Sequence, residues 1–418
     1  MWLTLINQFY PPDLAPTGHL AASLAEHRAA AGDEVTVVTS PGGYVPESRT
    51  TTWEERRNPR VLRIWSPRLG KASPLKRIAD YAAFYILAAL RLLTLPRQDV
   101  IISLTTPPFI ALTALLHKAL HPSAKVVLWS MDCYPEVLER AGVLQSRSLA
   151  SRLMRWLNRV LFRHLDHLVC LDSAMGRLLT SQYSPKRRPV PVSVISNWER
   201  LEHFPPDLAP SPWPAIATLL GLQDRFIILY LGNAGYGHRF ETVLATAEAL
   251  REEPVAFLFV GGGAAWPALE QERAARHLEN VILHRYVPKE ETPSVLASAH
   301  CGLITLRDEY LGVICPSKPH SYLAMGLPVL YVGPEGGNVD EAIRRFDCGL
   351  SLRHGDVEGM VAFIRRLMAD REHFQRLRLQ ARRAFDEAYV DTKTLPQFDQ
   401  VLEKLVLMVE LRAGANGW

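Results

Sequence analysis

The most constraining feature of this sequence is a rhythm that it plays twice. Short runs rich in Val, Ile and Leu alternate with longer amphipathic stretches, and after residue 225 the alternation starts again. The first series predicts strands over residues 2–6, 34–39, 61–65, 99–104, 125–130, 167–171 and 192–196. The second predicts them over 226–231, 256–260, 281–287, 301–306, 328–332 and 349–352. Most of these runs are continuous rather than alternating, as in strands covered on both faces. Helical patterns lie between them, at 19–31, 78–95, 146–165 and 240–250 among others. Strand–helix alternation of this kind predicts parallel, doubly wound sheets.

At 418 residues the chain has the length for two such domains. A composition of 48% hydrophobic and 22% charged residues excludes a disordered chain, a collagen-like fibre and a coiled coil. Pro205, Pro206, Pro210, Pro212 and Pro214 crowd one stretch, which predicts a linker over 199–222 between domains at 1–198 and 223–390. A last helix at about 396–412, within a segment 391–418, is expected to return to the first domain. No repeat shorter than a domain is visible, which excludes a solenoid.

Charge divides unevenly. Residues 1–200 carry 25 Lys and Arg against 15 Asp and Glu, and the remainder carries 22 against 28. A cationic first half suits an anionic partner, either a membrane surface or a phosphorylated ligand, or is simply a solvated basic face. The five cysteines form no CxxC pair, which argues against a disulfide framework or thiolate metal site and for a reducing compartment. The N-terminus lacks the basic and small-residue marks of a secretory signal. Two apolar runs, 81–95 and 100–116, are interrupted by Arg91 and by Pro107 and Pro108. A membrane span needs about 20 apolar residues, so neither qualifies.

In parallel sheets ligands bind beyond the carboxyl ends of the strands, and the glycine and polar clusters fall there. The turn GNAGYGHR at 232–239 follows a strand and opens a helix. Its glycines allow backbone N–H groups to approach a phosphate, or simply make a tight turn. The spacing is neither GxGxxG nor that of a P-loop. Gly261, Gly262 and Gly263 end the next strand, with the same two readings. The third cluster sets Ser317 and Lys318 at a helix start, where a hydroxyl and an ammonium suit a diphosphate. The alternative is a Ser N-cap beside a solvated Lys.

Taken in order, these residues resemble glycosyltransferase family 4, of the GT-B fold, and within it the bacterial cell-surface polysaccharide enzymes of the fucosyltransferase-like group. The matching segments are NQFYPPD at 7–13 with Thr17 and Gly18, TPP at 106–108, DCYPE at 132–136 and ISNW at 195–198. They continue with Gly232 and Asn233 followed by FET at 240–242, VGGG at 260–263, YVP at 286–288, PSK at 316–318 and AMGLPV at 324–329. The resemblance spans roughly residues 1–390. It implies an α/β chain of two Rossmann-like doubly wound domains facing each other across a cleft. It also implies an acceptor in the first domain, a nucleotide-sugar donor in the second, and transfer with retention of anomeric configuration. No catalytic metal or cofactor is implied, the nucleotide-sugar being a substrate, and the sequence carries no DxD and no HExxH. His164, Asp166 and His167 read as a helix end rather than a ligand set.

Many family members carry two glutamates separated by seven residues, which here fall at Val313 and Ser321. Glu309 is the nearby acid that stands in for the first if the loop shifts. Missing the second weakens the expected hold on the donor ribose.

Retaining transfer needs the departing diphosphate stabilised and the acceptor activated. For the donor, the resemblance and the phosphate chemistry together select Lys318, Arg239, Ser317, Gly232, Asn233, Gly261, Gly262 and Val287. For the acceptor they select Thr17, Gly18 and Tyr134. Asp132 is the expected base or acceptor-holding group, with His19 the second choice; the plainer readings are a helix N-cap and a surface residue.

Basic residues precede an apolar helix (Arg56, Arg57, Arg60, Arg63, Arg68, Lys71, Lys76, Arg77). Arg152, Arg155, Arg159 and Arg163 share a helix with Leu153 and Trp156. Such a helix suits a membrane interface and a polyprenyl-phosphate-linked acceptor, or lies on its own core. No nucleic-acid motif is present. The expected location is cytoplasmic, peripheral on the inner face of the membrane. The readings are a retaining glycosyltransferase moving a sugar from a UDP- or GDP-sugar to a lipid-linked or other acceptor in polysaccharide or glycoconjugate biosynthesis, a non-catalytic GT-B partner or scaffold, and a sugar-nucleotide epimerase or hydrolase.

Overall fold

A computed structural model describes residues 1–13, 15–41, 54–55, 58–65, 74–204 and 216–415. It divides into two compact units, residues 1–195 with 395–418 and residues 196–394.

In the first unit the strands are β1 (Trp2–Ile6), β2 (Glu34–Thr39), β3 (Glu54–Glu55), β4 (Arg60–Arg63), β5 (Val100–Ser103), β6 (Lys125–Trp129), β7 (His167–Cys170) and β8 (Val192–Val194). They form one sheet in the order β3-β4-β2-β1-β5-β6-β7-β8. Every pairing is parallel except β3 with β4. The helices are α1 (Pro16–Ala30), α2 (Pro74–Thr94), α3 (Ala111–Leu120), α4 (Glu136–Arg140), α5 (Leu149–His164) and α6 (Ser173–Tyr183). Burial of β1, β2, β5 and β6 on both faces explains their unbroken apolar runs.

In the second unit α7 (Ile216–Leu219) precedes β9 (Phe226–Asn233), α8 (Glu241–Ala249), β10 (Val255–Gly262), α9 (Trp266–Ala275), β11 (Val281–His284), α10 (Thr292–Ala297) and β12 (Cys301–Thr305). Then come α11 (Lys318–Ala324), β13 (Val329–Val332), α12 (Asn338–Phe346), β14 (Gly349–Leu352), α13 (Val357–Ala369), α14 (Arg371–Ala384) and α15 (Asp391–Ala415). The all-parallel order β11-β10-β9-β12-β13-β14 is the Rossmann order, and β9 and β12 flank its switch point.

The thirteen expected strands are present, three with the expected ends and the others with ends shifted by up to three residues. β9 and β10 run two residues further, to Asn233 and Gly262, because their glycines still pair across the ladder. The strand expected over 281–287 stops at His284, leaving Val287 outside it. The short β3 was not expected. α1 begins at Pro16, three residues earlier than its periodicity suggested, since proline fits the first helical positions. α15 begins at Asp391 and carries Pro396 inside it rather than at its start. From Leu395 onward it belongs to the first unit, where Asp399 bonds Arg28 at 2.7 Å and His27 at 2.9 Å, and Phe398 packs on Trp129. Of the expected linker, residues 205–215 lie outside the described ones, as do Arg56, Arg57, Arg68 and Lys71.

Candidate functional site

In the second unit the site is built where β9 and β12 part. They pair only at Ile228 with Cys301 and Leu229 with Gly302. Beyond that, Tyr322 of α11 wedges its hydroxyl between them. It donates to the Leu229 carbonyl at 3.1 Å and accepts from the Leu231 N–H at 2.9 Å. Tyr322 is wholly buried, and it fits because residue 302 is glycine: a Cβ there would stand 2.3 Å from the tyrosine ring. Tyr322→Phe strands the Leu231 N–H without its acceptor. We expect it to cost about 1–3 kcal/mol in urea unfolding. A loss under about 0.5 kcal/mol would mean that the wedge is dispensable.

The wedge places the start of α11 against the end of β9. Lys318 Nζ lies 4.5 Å from the centre of the Tyr230 ring and donates to the Asn233 carbonyl at 3.3 Å. The Tyr230 hydroxyl donates to the same carbonyl at 3.0 Å. Lys318 forms no ion pair among the described residues. Burial without a counter-charge pulls its pKa down to about 7. Gly232, near the end of the β9 ladder, has φ 109°, and a Cβ there would lie 3.9 Å from Lys318 Cε.

The three glycines ending β10 have structural reasons of their own. A Cβ on Gly261 would stand 2.1 Å from the Gly232 carbonyl oxygen, and one on Gly263 would stand 2.3 Å from Asn233 Oδ1. One on Gly262 would meet the Tyr286 ring at 3.0 Å. Close approach of neighbouring protein atoms therefore accounts for Gly261 and Gly263 without a ligand. The turn after β9 is clamped from above, since Gly237 lies under Tyr310 and Ile314, and its carbonyl accepts from the Arg307 N–H at 2.8 Å.

Lys318, Gly232 and Asn233 are thus brought together. The other expected donor residues are placed differently. Arg239 is exposed, its guanidinium 3.2 Å from Glu241 rather than turned toward Lys318. Ser317 is exposed at the N-cap of α11 with no side-chain cap bond, which removes the N-cap alternative. Val287 is half-buried beyond β11. Glu309 is exposed, 3.6 Å from Arg307. Val313 is fully buried, and the Ser321 hydroxyl donates to the Lys318 carbonyl at 3.2 Å. Sequence reasoning missed Tyr230 and Tyr322; the only signal for Tyr322 was its position four residues, one helical turn, after Lys318.

In the first unit Gly18 is buried in the first turn of α1. A Cβ there would stand 3.1 Å from the backbone of Phe9 and Tyr10, so the glycine admits the loop after β1. Thr17 and His19, beside it, are half-buried. Asp132 follows β6. The Thr105 hydroxyl accepts from the N–H groups of Met131 at 3.2 Å and Asp132 at 3.3 Å, which holds the turn. Thr105, Ser130, Asp132, Tyr134 and Asn158 are among the residues lining a cavity of about 20 Å³, room for a single water. Desolvation pushes the Asp132 carboxyl up to about 6. Asn158 of α5 donates to the Tyr134 carbonyl at 2.6 Å, fixing the segment after Asp132. The plainer alternative for Asp132, a helix N-cap, is not what the structure has, because α4 begins at Glu136 behind Pro135 with no side-chain cap.

Asp166 accepts from the Val126 N–H at 2.9 Å and pairs with Lys118, and His167 bonds Ser193 at 3.0 Å, which accounts for both without a metal. Among the described residues no group of three or more His, Cys, Asp or Glu could hold a metal ion.

Residues 17–198 match the family described as glycosyl transferase 4-like domain, and residues 225–370 match glycosyl transferases group 1. The chain is 28% identical over 270 residues to WbjE of Pseudomonas aeruginosa, named as a glycosyltransferase; the match spans 64% of this chain and 66% of that protein. It is 25% identical over 395 residues to WcaI of Escherichia coli (strain K12), named as a colanic acid biosynthesis glycosyl transferase, spanning 91% and 95% of the two. Among solved structures, Anabaena HepE in complex with UDP and glucose superposes with a TM-score of 0.68 at 14% identity, covering 96% of this chain and 99% of that one.

Proposed function

Because the chain belongs to the family-4 glycosyltransferases of GT-B fold, we propose that it moves a sugar from a UDP- or GDP-linked donor to a lipid-linked acceptor in polysaccharide assembly. The observation that carries this is Lys318. A half-buried ammonium without a counter-charge, held at the switch point of a Rossmann sheet beside a glycine turn, is poised for an anion. A diphosphate supplies that charge, and its departure as a leaving group increases it. In this reading Lys318 stabilises the leaving group, Asp132 of the first unit is the group that takes the acceptor's proton, and the transfer proceeds with retention. The names of WcaI and the UDP held by HepE agree in direction.

Calorimetry with UDP, GDP and their sugar conjugates tests the reading; no binding by any of them would end it. Product analysis without acceptor separates transfer from hydrolysis or epimerisation, which turn over the donor alone. We expect turnover to persist in EDTA, since Lys318 supplies the positive charge; loss restored by a divalent ion would overturn that part.

The acceptor side is read from three adjoining helices. α2 packs on α3 and α3 on α5. Their outer faces expose Ile86, Leu90 and Leu120 together with Leu149 (82%), Leu153 and Trp156 (54%). Arg152, Arg159 and Arg163 are exposed along α5. Apolar residues rimmed by guanidinium groups suit an anionic lipid surface, where a lipid-linked acceptor resides. No described helix is long and apolar enough to cross a membrane. We expect L153E/W156E to weaken binding to vesicles of anionic phospholipid at least tenfold, as read by co-sedimentation. Unchanged binding would leave α5 an ordinary surface helix.

A further inference from the structure

His238, in the turn after β9, takes no part in the chemistry proposed above. Its imidazole is 8% exposed, between Tyr230, edge-on at 5.6 Å, and Phe240, stacked at 6.3 Å. Nδ1 lies 2.7 Å from the Thr305 carbonyl at the end of β12. A carbonyl only accepts, so Nδ1 carries the proton and donates. The tautomer leaves Nε2 as a bare lone pair. Nε2 has no hydrogen-bond partner among the described residues, and it is not sealed from solvent.

What can meet that lone pair is restricted. A phosphate oxygen is also an acceptor and is repelled by it unless the ring protonates. In the free site, burial and the neighbouring Lys318 ammonium hold the ring's pKa down at about 3, so Nε2 meets an incoming ligand as an acceptor. An O–H group has the required proton. A nucleotide-sugar carries such groups on its ribose and on its hexose, next to the diphosphate on either side.

Resting on the nucleotide-sugar reading of this site, we propose that His238 Nε2 accepts a hydrogen bond from a hydroxyl of the donor and makes that hydroxyl a requirement for binding. Where a bound ligand shuts water away from such an acceptor, an analogue lacking the matching donor is rejected, because the acceptor is then left unpaired. His238 thus selects among donors, while Lys318 grips the charge they share.

The test is a cycle of ligands and variants. Calorimetry is run with UDP-glucose or GDP-mannose, whichever the wild type binds, with its single-deoxy analogues in the hexose, and with the 2′- and 3′-deoxyribose forms. One analogue should bind the wild type at least tenfold more weakly than its parent, and its position tells ribose from hexose. In His238→Phe that penalty should vanish, with the parent falling to the affinity of the analogue. His238→Gln, whose amide both donates and accepts, should keep a penalty at the same position; it also serves if the phenylalanine variant does not fold. Equal weakening of parent and all analogues, or no deoxy penalty in the wild type, overturns the proposal while leaving the nucleotide-sugar reading intact. A wild type that binds no nucleotide or conjugate overturns that reading, and this inference with it.

Discussion

Lys318→Met should weaken nucleoside diphosphate binding by roughly ten- to a hundredfold, the usual scale for losing one charge-assisted contact. Methionine keeps the length and apolar stem of the side chain, so packing on Tyr230 survives. The unliganded variant should melt no lower than the wild type, because the substitution removes a half-buried charge that has no counter-charge. The two results together identify a ligand-directed residue rather than a structural one. Unchanged affinity would remove Lys318 from the site.

Acidity gives the same residue a signature. Desolvation lowers its pKa to about 7, and only the ammonium form attracts the diphosphate. Affinity should therefore be greatest below pH 7 and fall as pH rises above it, by up to about tenfold per unit. A nucleotide's terminal phosphate, with a second pKa near 6, is already ionised from pH 7 upward, so a titration from pH 7 to 9 reports the protein. His238 stays neutral throughout this range. The slope should disappear in Lys318→Met; a slope that survives there belongs to another group.

Asp132→Asn is expected to lower kcat by about 10²–10⁴, the range for a general base, with nucleotide affinity within threefold of wild type. Asparagine keeps the shape beside the small cavity and cannot take a proton. Since the carboxyl titrates at about 6, the wild-type rate should fall as pH drops through 6 and protonates the base. Stability runs the other way. The folded group binds its proton more tightly than the unfolded one, so between pH 4 and 6 the folded state holds more protons, and stability declines as pH rises across that window. Asp132→Asn should flatten that decline. A loss of rate under threefold would make Asp132 an acceptor contact at most, and His19 would become the residue to test.

The parallel, two-fold architecture was legible because strands buried on both faces must be continuously apolar, and that pattern recurs in both halves of the chain. The glycines were visible as glycines, yet their cause was not. Gly261 and Gly263 face a carbonyl and a side-chain amide oxygen contributed by the neighbouring turn, and neither neighbour is near them in sequence. Arg239 and Lys318 looked equivalent as cations at helix starts. A glutamate two residues away takes the first, and a tyrosine from β9 receives the second. Ser317 and Ser321 show the same limit, since hydroxyls are versatile and only their neighbours assign them.

What the sequence determined alone was the order of elements and the chemistry on offer at their ends, because local periodicity and turn residues act over a few positions. What only the tertiary structure decided was which groups are deprived of water and of partners. Lys318 lacks a counter-charge, Nε2 of His238 lacks a donor and the Asp132 carboxyl is partly desolvated because segments far apart in the chain pack around them. Desolvation depends on everything that packs nearby, and no stretch of sequence carries that information by itself.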